Sequence, residues 1–158
     1  MAEFRKILIA NRGEIAIRIM RAANEMGKST VAVFAEEDKL SLHRFKADEA
    51  YKIGKGLGPV ASYLNIKEII SVARRAEVDA IHPGYGLLSE KPEFAKECNK
   101  AGITFIGPTA EIMEKLGNKA NARKIAEKAG VPVIPASNIL PDDPKDLINI
   151  AKKLDFPL

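Results

Sequence analysis

A chain of 158 residues is long enough for one domain of ordinary size, which typically buries roughly 70% of the surface it exposes when unfolded, so no metal or disulfide is required to hold it. A composition of 46% hydrophobic and 29% charged residues excludes intrinsically disordered, collagen-like and fibrous readings. The net charge of +4, from 25 Lys and Arg against 21 Asp and Glu, is mixed along the chain rather than gathered in blocks. That argues against a nucleic-acid partner and suits small anions such as phosphates or carboxylates.

Residues 6–10 read as a buried strand, and Ile15, Ile19, Ala22, Ala23 and Met26 then fall on one face of a helix that Gly27 stops. The strand starts within a few residues of Met1, which leaves no room for a cleaved secretory or transit segment and makes the cytoplasm the expected compartment. A second strand over 30–34 completes a βαβ unit. A short strand over 51–53 follows, then an amphipathic helix carrying Ile66, Ile69, Ile70 and Ala73 and entered near Asn65. Residues 80–82 form the next strand, 94–101 a helix and 104–106 a strand that Gly107-Pro108 ends. Cys98, the single cysteine, sits at helical spacing from Phe94, Ala95 and Ala101; it belongs to the core, and neither an intramolecular disulfide nor a tetrathiolate zinc site is available.

This succession predicts an α/β fold, an open and mainly parallel sheet with helices on both faces that binds ligands beyond the carboxyl ends of its strands. From Pro108 onward the pattern is helical, with Ile112, Met113 and Leu116 on one face, then Ala122, Ile125, Ala126 and Ala129 up to Gly130. A connector with Pro132, Pro135, Pro141 and Pro144 leads to a helix with Leu147, Ile148, Ala151 and Leu154 facing inward. Phe156-Pro157-Leu158 then stands where the rhythm calls for a strand, so the architecture is expected to continue. No apolar run approaches the roughly 20 residues of a membrane span.

Three segments carry candidate chemistry. Ala10-Asn11-Arg12-Gly13-Glu14 joins the first strand to the first helix, where a phosphate loop would sit. With Gly13 alone in place of three glycines, a dinucleotide site is not expected, and a turn whose charges pair with neighbours is the favoured reading. His82-Pro83-Gly84-Tyr85-Gly86 leaves a strand, and two glycines flanking an aromatic allow a sharp turn that presents backbone N–H groups and a phenol to a ligand. A structural turn is an equally good account of it, and His82 is assigned no catalytic role. Leu116-Gly117-Asn118-Lys119 puts a lysine at the mouth of a helix, where it serves as a point charge on a phosphate or is simply solvated.

In this order the segments resemble the start of the biotin carboxylase component of biotin-dependent carboxylases. The likeness runs through Ile9-Ala10-Asn11-Arg12-Gly13-Glu14-Ile15-Ala16, Ala47-Asp48-Glu49, Ser62-Tyr63-Leu64, Ile81-His82-Pro83-Gly84-Tyr85-Gly86 and Leu88-Ser89-Glu90. It continues in Phe105-Ile106-Gly107-Pro108, Gly117-Asn118-Lys119 and Gly130-Val131-Pro132, with Asn118 departing from the family's commoner Asp. Residues 43–51 and 36–40 are similar to the pyruvate carboxylase branch rather than the acetyl-CoA and propionyl-CoA carboxylases. The resemblance implies a Rossmann-like subdomain over 1–117 and the start of an ATP-grasp portion over 118–158. It further implies a parent ligase that uses ATP, magnesium and bicarbonate to form carboxyphosphate and carboxylate biotin on a carrier domain, then passes the carboxyl group to pyruvate to give oxaloacetate.

By the same resemblance Lys119 contacts ATP, Tyr85 and Gly86 lie beside the biotin ureido ring, and Glu90 lies nearby. No residue here is implied as a catalytic group or a metal ligand. Arg18 and Arg21 are implied near a surface through which carboxylase domains pair into a homo-oligomer, with a solvated helix face as the rival account. The cluster His43, Arg44 and Lys46 is a candidate receiver of an anionic effector such as acetyl-CoA, with Lys46 as its test residue. The chain by itself is expected to be inactive. An acyl-CoA carboxylase and a freestanding Rossmann-like binding module are the rivals.

Overall fold

Residues 7–10 and 31–35 are apolar at successive positions, the mark of strands covered on both faces, and they build neighbouring strands of one parallel sheet. The computed structural model describes residues 4–134 and 142–152. Pro135, Pro141, Leu154 and the segment 156–158 lie outside the described residues. The chain divides into two compact units, the division falling after Met113.

In the first unit β1 (Lys6–Ile9), α1 (Gly13–Glu25) and β2 (Ser29–Phe34) form the opening βαβ unit. They are followed by α2 (Leu42–Lys46), β3 (Glu49–Lys52), α3 (Pro59–Tyr63), α4 (Ile66–Arg75), β4 (Ala80–His82), α5 (Pro92–Lys100) and β5 (Thr104–Phe105). Short 3₁₀ turns occupy Glu36–Asp38 and Leu87–Glu90. The strands run parallel in the order β3-β2-β1-β4-β5. This is the expected open α/β sheet, and it reverses direction between β1 and β4, the switch point at which such sheets open a crevice.

Side chains alternate across the sheet. Leu8, Val31, Val33 and Ile81 point into the larger core with Ile69, Ala73, Phe94 and Cys98 from α4 and α5. Ile9 and Ala32 face the other way, onto Ala16 and Met20 of α1. Phe94 is wholly buried and meets Phe105 edge to face at 5.8 Å between ring centroids. Cys98 is buried as the helical spacing predicts, and burial pushes its thiol up to about 12. Asn65 caps α4 by accepting from the Glu68 N–H at 3.3 Å. Gly27, at φ +69°, ends α1 with the Lys28 N–H bonded to the Ala23 carbonyl.

The buried face of α1 shares Ala23 with the expected one and differs in the rest. Ala16, Met20 and Ala23 pack on the sheet, whereas Ile15 and Ile19 are half-buried and Met26 is 70% exposed. Helix α1 is apolar on two flanks, and small residues let one of them approach the strands closely. The larger side chains of the other flank line an open cavity of about 670 Å³ together with Phe4, Ile106, Gly84 and Tyr85. Strand β3 starts two residues earlier than its apolar run, because an edge strand with charged Glu49 and Lys52 lacks the signal of a buried one.

Helix α6 (Ala110–Leu116) buries Met113 but leaves Ile112 and Leu116 about half exposed, against the single apolar face expected for it. In the second unit α7 (Lys119–Lys128) and α8 (Pro144–Ala151) bury none of their described residues. The expected inward faces there are half-buried at most, and Ile148 is exposed. Among the described residues no helix is long and apolar enough to cross a membrane.

The Phe94→Ala substitution removes a fully buried ring and its partner contact, and it is expected to lower stability by about 3–5 kcal/mol. A fall in the urea midpoint with unchanged slope is the measurement that checks this.

Candidate functional site

The first two motifs named from the sequence meet at the switch point. Segment 10–13 leaves the carboxyl end of β1 and segment 83–86 leaves that of β4, and the two strands are paired through Ile9 and His82. The Ala10 N–H donates to the His82 carbonyl at 2.9 Å, which carries the pairing one residue beyond β1. The carboxamide of Asn11 then ties one loop to the other. Its Nδ2 donates to the carbonyls of Pro83 (2.7 Å) and Tyr85 (3.0 Å), while its Oδ1 accepts from the Arg12 N–H (2.9 Å).

The 83–86 loop requires its glycines. Gly84 has φ +70°, and a Cβ there would fall 2.5 Å from Asn11 Nδ2. Gly86 has φ +64° and ψ −168°, a conformation essentially restricted to glycine. The two N–H groups expected to face a ligand differ in availability. That of Gly84 is taken by His82 Nδ1 at 3.0 Å, while that of Gly86 has no protein acceptor among the described residues. His82 is therefore held as the Nε2–H tautomer, with its pKa lowered by burial, and it serves as a neutral brace for the loop. Tyr85 carries its phenol outward at 72% exposure. Glu90, at the end of the following 3₁₀ turn, is exposed as well.

Arg12 turns away from this loop toward a buried carboxylate. Its Nε and Nη2 reach Asp38 at 2.7 and 2.5 Å, and Asp38 also accepts from the Tyr63 hydroxyl (2.8 Å) and the Ser41 hydroxyl (2.9 Å). The Tyr63 oxygen in turn accepts from the Ala35 N–H at 3.3 Å. The Arg12 guanidinium is the main cause that holds Asp38 at about 2, below the ordinary carboxylate value, with the two hydroxyls adding to it against desolvation. Burial, and then Asp38, push the Tyr63 phenol well above its ordinary value. The expectation that the charges of 10–14 pair with neighbours is thus met by Arg12 and Asp38. Glu14 reaches Arg18 at 3.9 Å.

His43 is fully buried and cannot belong to an exposed basic cluster. Its Nδ1 accepts from the Gly13 N–H at 3.4 Å, and Nε2–H donates to the Val33 carbonyl at 3.2 Å. Desolvation lowers its pKa and keeps it neutral. Arg44 donates to the Lys39 carbonyl at 2.6 Å and lies over the ring of Phe34. Of the three residues named for an anionic effector, Lys46 is the one left exposed, and it borders a cavity of about 410 Å³ together with Arg21, Asn24 and Glu25. Arg18 instead borders the apolar cavity beside Tyr85.

Lys119 belongs to the second unit, exposed at the first position of α7. Asn118 caps that helix by accepting from the Asn121 N–H at 3.1 Å. Among the described residues no group of three or more His, Cys, Asp or Glu side chains is arranged to hold a metal.

Comparison with known proteins decides what this arrangement belongs to. Residues 3–113 match the family model described as biotin carboxylase, N-terminal domain. The chain belongs to that family. It is 54% identical over 162 aligned positions to pyruvate carboxylase of Staphylococcus aureus, covering 100% of this chain and 14% of that protein. It is similar to Rhizobium etli pyruvate carboxylase solved with the allosteric activator acetyl coenzyme A, at 62% identity and a TM-score of 0.83, over 87% of this chain and 14% of that one. The biotin carboxylase domain dimer of Hydrogenobacter thermophilus 2-oxoglutarate carboxylase, solved with MgADP and bicarbonate, aligns at 43% identity and a TM-score of 0.91, over 99% of this chain and 34% of that one. The chain thus spans about one seventh of the length of the pyruvate carboxylases it matches.

The stretches that carried the biotin carboxylase resemblance have distinct physical roles. Asp48 accepts from the N–H and the hydroxyl of Thr30 at 2.7 and 2.9 Å, and Glu49 pairs with Lys6 at 2.6 Å, so Ala47-Asp48-Glu49 fixes β3 against β1 and β2. Ser62-Tyr63-Leu64 supplies the hydroxyl that steadies Asp38. Asn in place of Asp at 118 is neutral in this respect, since both cap helices equally well. Asn11, Asp38 and Tyr63 were not singled out as site residues from the sequence. Each stood inside a stretch that carried the resemblance, but Asp38 lies 26 residues from Arg12 and 25 from Tyr63, and no local spacing joins them.

Asp38 titrates below its ordinary value in the folded chain, so it adds stability above about pH 4 that is lost as pH falls through about 2. The Asp38→Asn chain is expected to lack this component. The difference in urea midpoint between the parent chain and the variant should shrink on acidification from pH 5 to pH 2, as measured by circular dichroism.

Proposed function

We propose that this chain is the front of the biotin carboxylase domain of a pyruvate carboxylase. In the whole enzyme, ATP with magnesium activates bicarbonate, biotin on a carrier domain supplies the ureido nitrogen that receives the carboxyl group, and pyruvate is the final acceptor. The observation that carries this reading is the switch-point crevice, where the outward Tyr85 borders an apolar cavity and the next residue, Gly86, has an N–H without a protein acceptor among the described residues. That pairing suits a bicyclic ring whose hydrocarbon side seeks apolar surface and whose ureido oxygen seeks donors.

On this reading the phenol and the Gly86 N–H both donate to the ureido oxygen. Two donors on one oxygen stabilise the negative charge that gathers there when the ring nitrogen becomes nucleophilic. Lys119, at the positive end of α7, places an ammonium on a nucleotide phosphate. Residues 118–158 form the start of the ATP-grasp portion. The described residues here offer no metal site, and no step through magnesium is assigned to them.

Lys46 is proposed to meet an anionic effector such as acetyl-CoA, and Arg18 and Arg21 a neighbouring carboxylase domain; Arg21 and Lys46 border one cavity and Arg18 another. We place the enzyme in the cytoplasm, where a buried, reduced Cys98 is at home.

The deciding experiment assays the full-length parent enzyme with pyruvate, acetyl-CoA and propionyl-CoA as carboxyl acceptors; turnover with an acyl-CoA and none with pyruvate would overturn the branch assigned. In that enzyme Lys119→Gln is expected to raise KM for ATP by about tenfold, the loss of one charge-assisted contact, with KM for biotin unchanged. The 158-residue chain alone should show no biotin-dependent ATP hydrolysis, and phosphate release above background would contradict that.

A further inference from the structure

Asn11 is 5% exposed and lies between two loops, and every hydrogen of its amide is committed. Nδ2 serves two main-chain carbonyls and Oδ1 one N–H, and no other side chain of that size does the same. Aspartate cannot donate, serine has a single proton, and glutamine is longer by a methylene. The amide orientation follows from the partners, because the reverse would set its carbonyl against those of Pro83 and Tyr85.

The loop that Asn11 grips needs to be held. Gly84, Gly86 and Leu87 all have positive φ, and Leu87, at +48°, is not a glycine. A residue in that region is strained by roughly 1–3 kcal/mol and persists only where its surroundings over-determine it. Three clasps do so here. His82 holds the Gly84 N–H, Ser89 Oγ donates to the Gly86 carbonyl at 2.8 Å, and Asn11 holds the carbonyls on either side of Gly84. The carbonyl of Tyr85 shares its peptide plane with the N–H of Gly86. By fixing that plane, Asn11 aims the N–H that is free for a ligand and sets the base from which the Tyr85 phenol projects.

We infer that Asn11 is a positioning residue for biotin: it touches no ligand itself and sets the direction of the Gly86 N–H and the Tyr85 side chain. This rests on the reading of Tyr85 and Gly86 given above.

The test uses the full-length parent enzyme prepared without biotin on its carrier, with free biotin as the acceptor and ATP hydrolysis as the signal. Asn11→Asp, nearly isosteric, is expected to raise KM for biotin by about tenfold or more, equivalent to about 1.4 kcal/mol, and to leave KM for ATP unchanged. Tyr85→Ala, measured alongside, reports on the underlying reading. If Tyr85→Ala raises KM for biotin and Asn11→Asp does not, the positioning role is overturned and the reading of the loop stands. If Tyr85→Ala leaves KM for biotin unchanged, the reading falls and the role of Asn11 falls with it. An equal rise in both KM values for Asn11→Asp marks a merely structural residue and also overturns the inference. Should Asn11→Asp fail to fold, Asn11→Ser and Gly84→Ala, whose Cβ presses on the same amide, decide by the same split between the two KM values.

Discussion

The reversal of strand order between β1 and β4 is the constraint on which the rest of the first unit depends. A parallel sheet buried on both faces sends each connection over one side, and where the order reverses, two neighbouring connections leave in opposite directions. The gap between them has no backbone of its own to close it. Here a side-chain amide does so, joining the turn after β1 to the loop after β4. The apolar cavity and the outward Tyr85 border that gap, and the N–H of the next residue, Gly86, has no protein acceptor among the described residues.

Behind the first loop stands a buried polar network of the kind that is costly when half satisfied. Asp38 takes hydrogen bonds from Arg12, Ser41 and Tyr63, and Tyr63 accepts from the main chain after β2. On the other side of the turn the neutral ring of His43 links the Gly13 N–H to β2. Asp38 and His43, both from the segment that follows β2, thereby set the entry of α1, and the helix start is shaped by tertiary contacts more than by its own capping. Arg12, at the cap position, cannot cap it because a guanidinium has donors only, and the Gly13 N–H is taken by His43 instead.

What could be read in the sequence follows the physics of burial. The central strands β2, β1 and β4 were legible because buried parallel strands are unbroken apolar runs, whereas β3 was misplaced by two residues because an edge strand carries charge. Helix α1 was legible as a helix but not in its orientation. Ile15-Ile19-Ala22-Met26 and Ala16-Met20-Ala23 have the same spacing, and only the tightness of the sheet contact decides that the smaller set goes inward. Helices α2 and α3, five residues each, are too short to show a period. The Tyr85-Gly86 loop was legible from its glycines, whereas the side chain that shapes it was one polar residue among several in a turn. Asp38 and Tyr63 meet Arg12 only through the fold, and spacing along the chain carries no trace of that meeting.

The amide that joins the two loops grips main-chain carbonyls and leaves the ring of Tyr85 untouched. Loop shape and loop chemistry are thereby uncoupled. The side chain at 85 can be exchanged without disturbing the backbone that presents it, while the flanking glycines and Asn11 cannot. Such a division leaves the side chain at 85 open to exchange while the scaffold beneath it stays constant, a form of modularity at the scale of four residues.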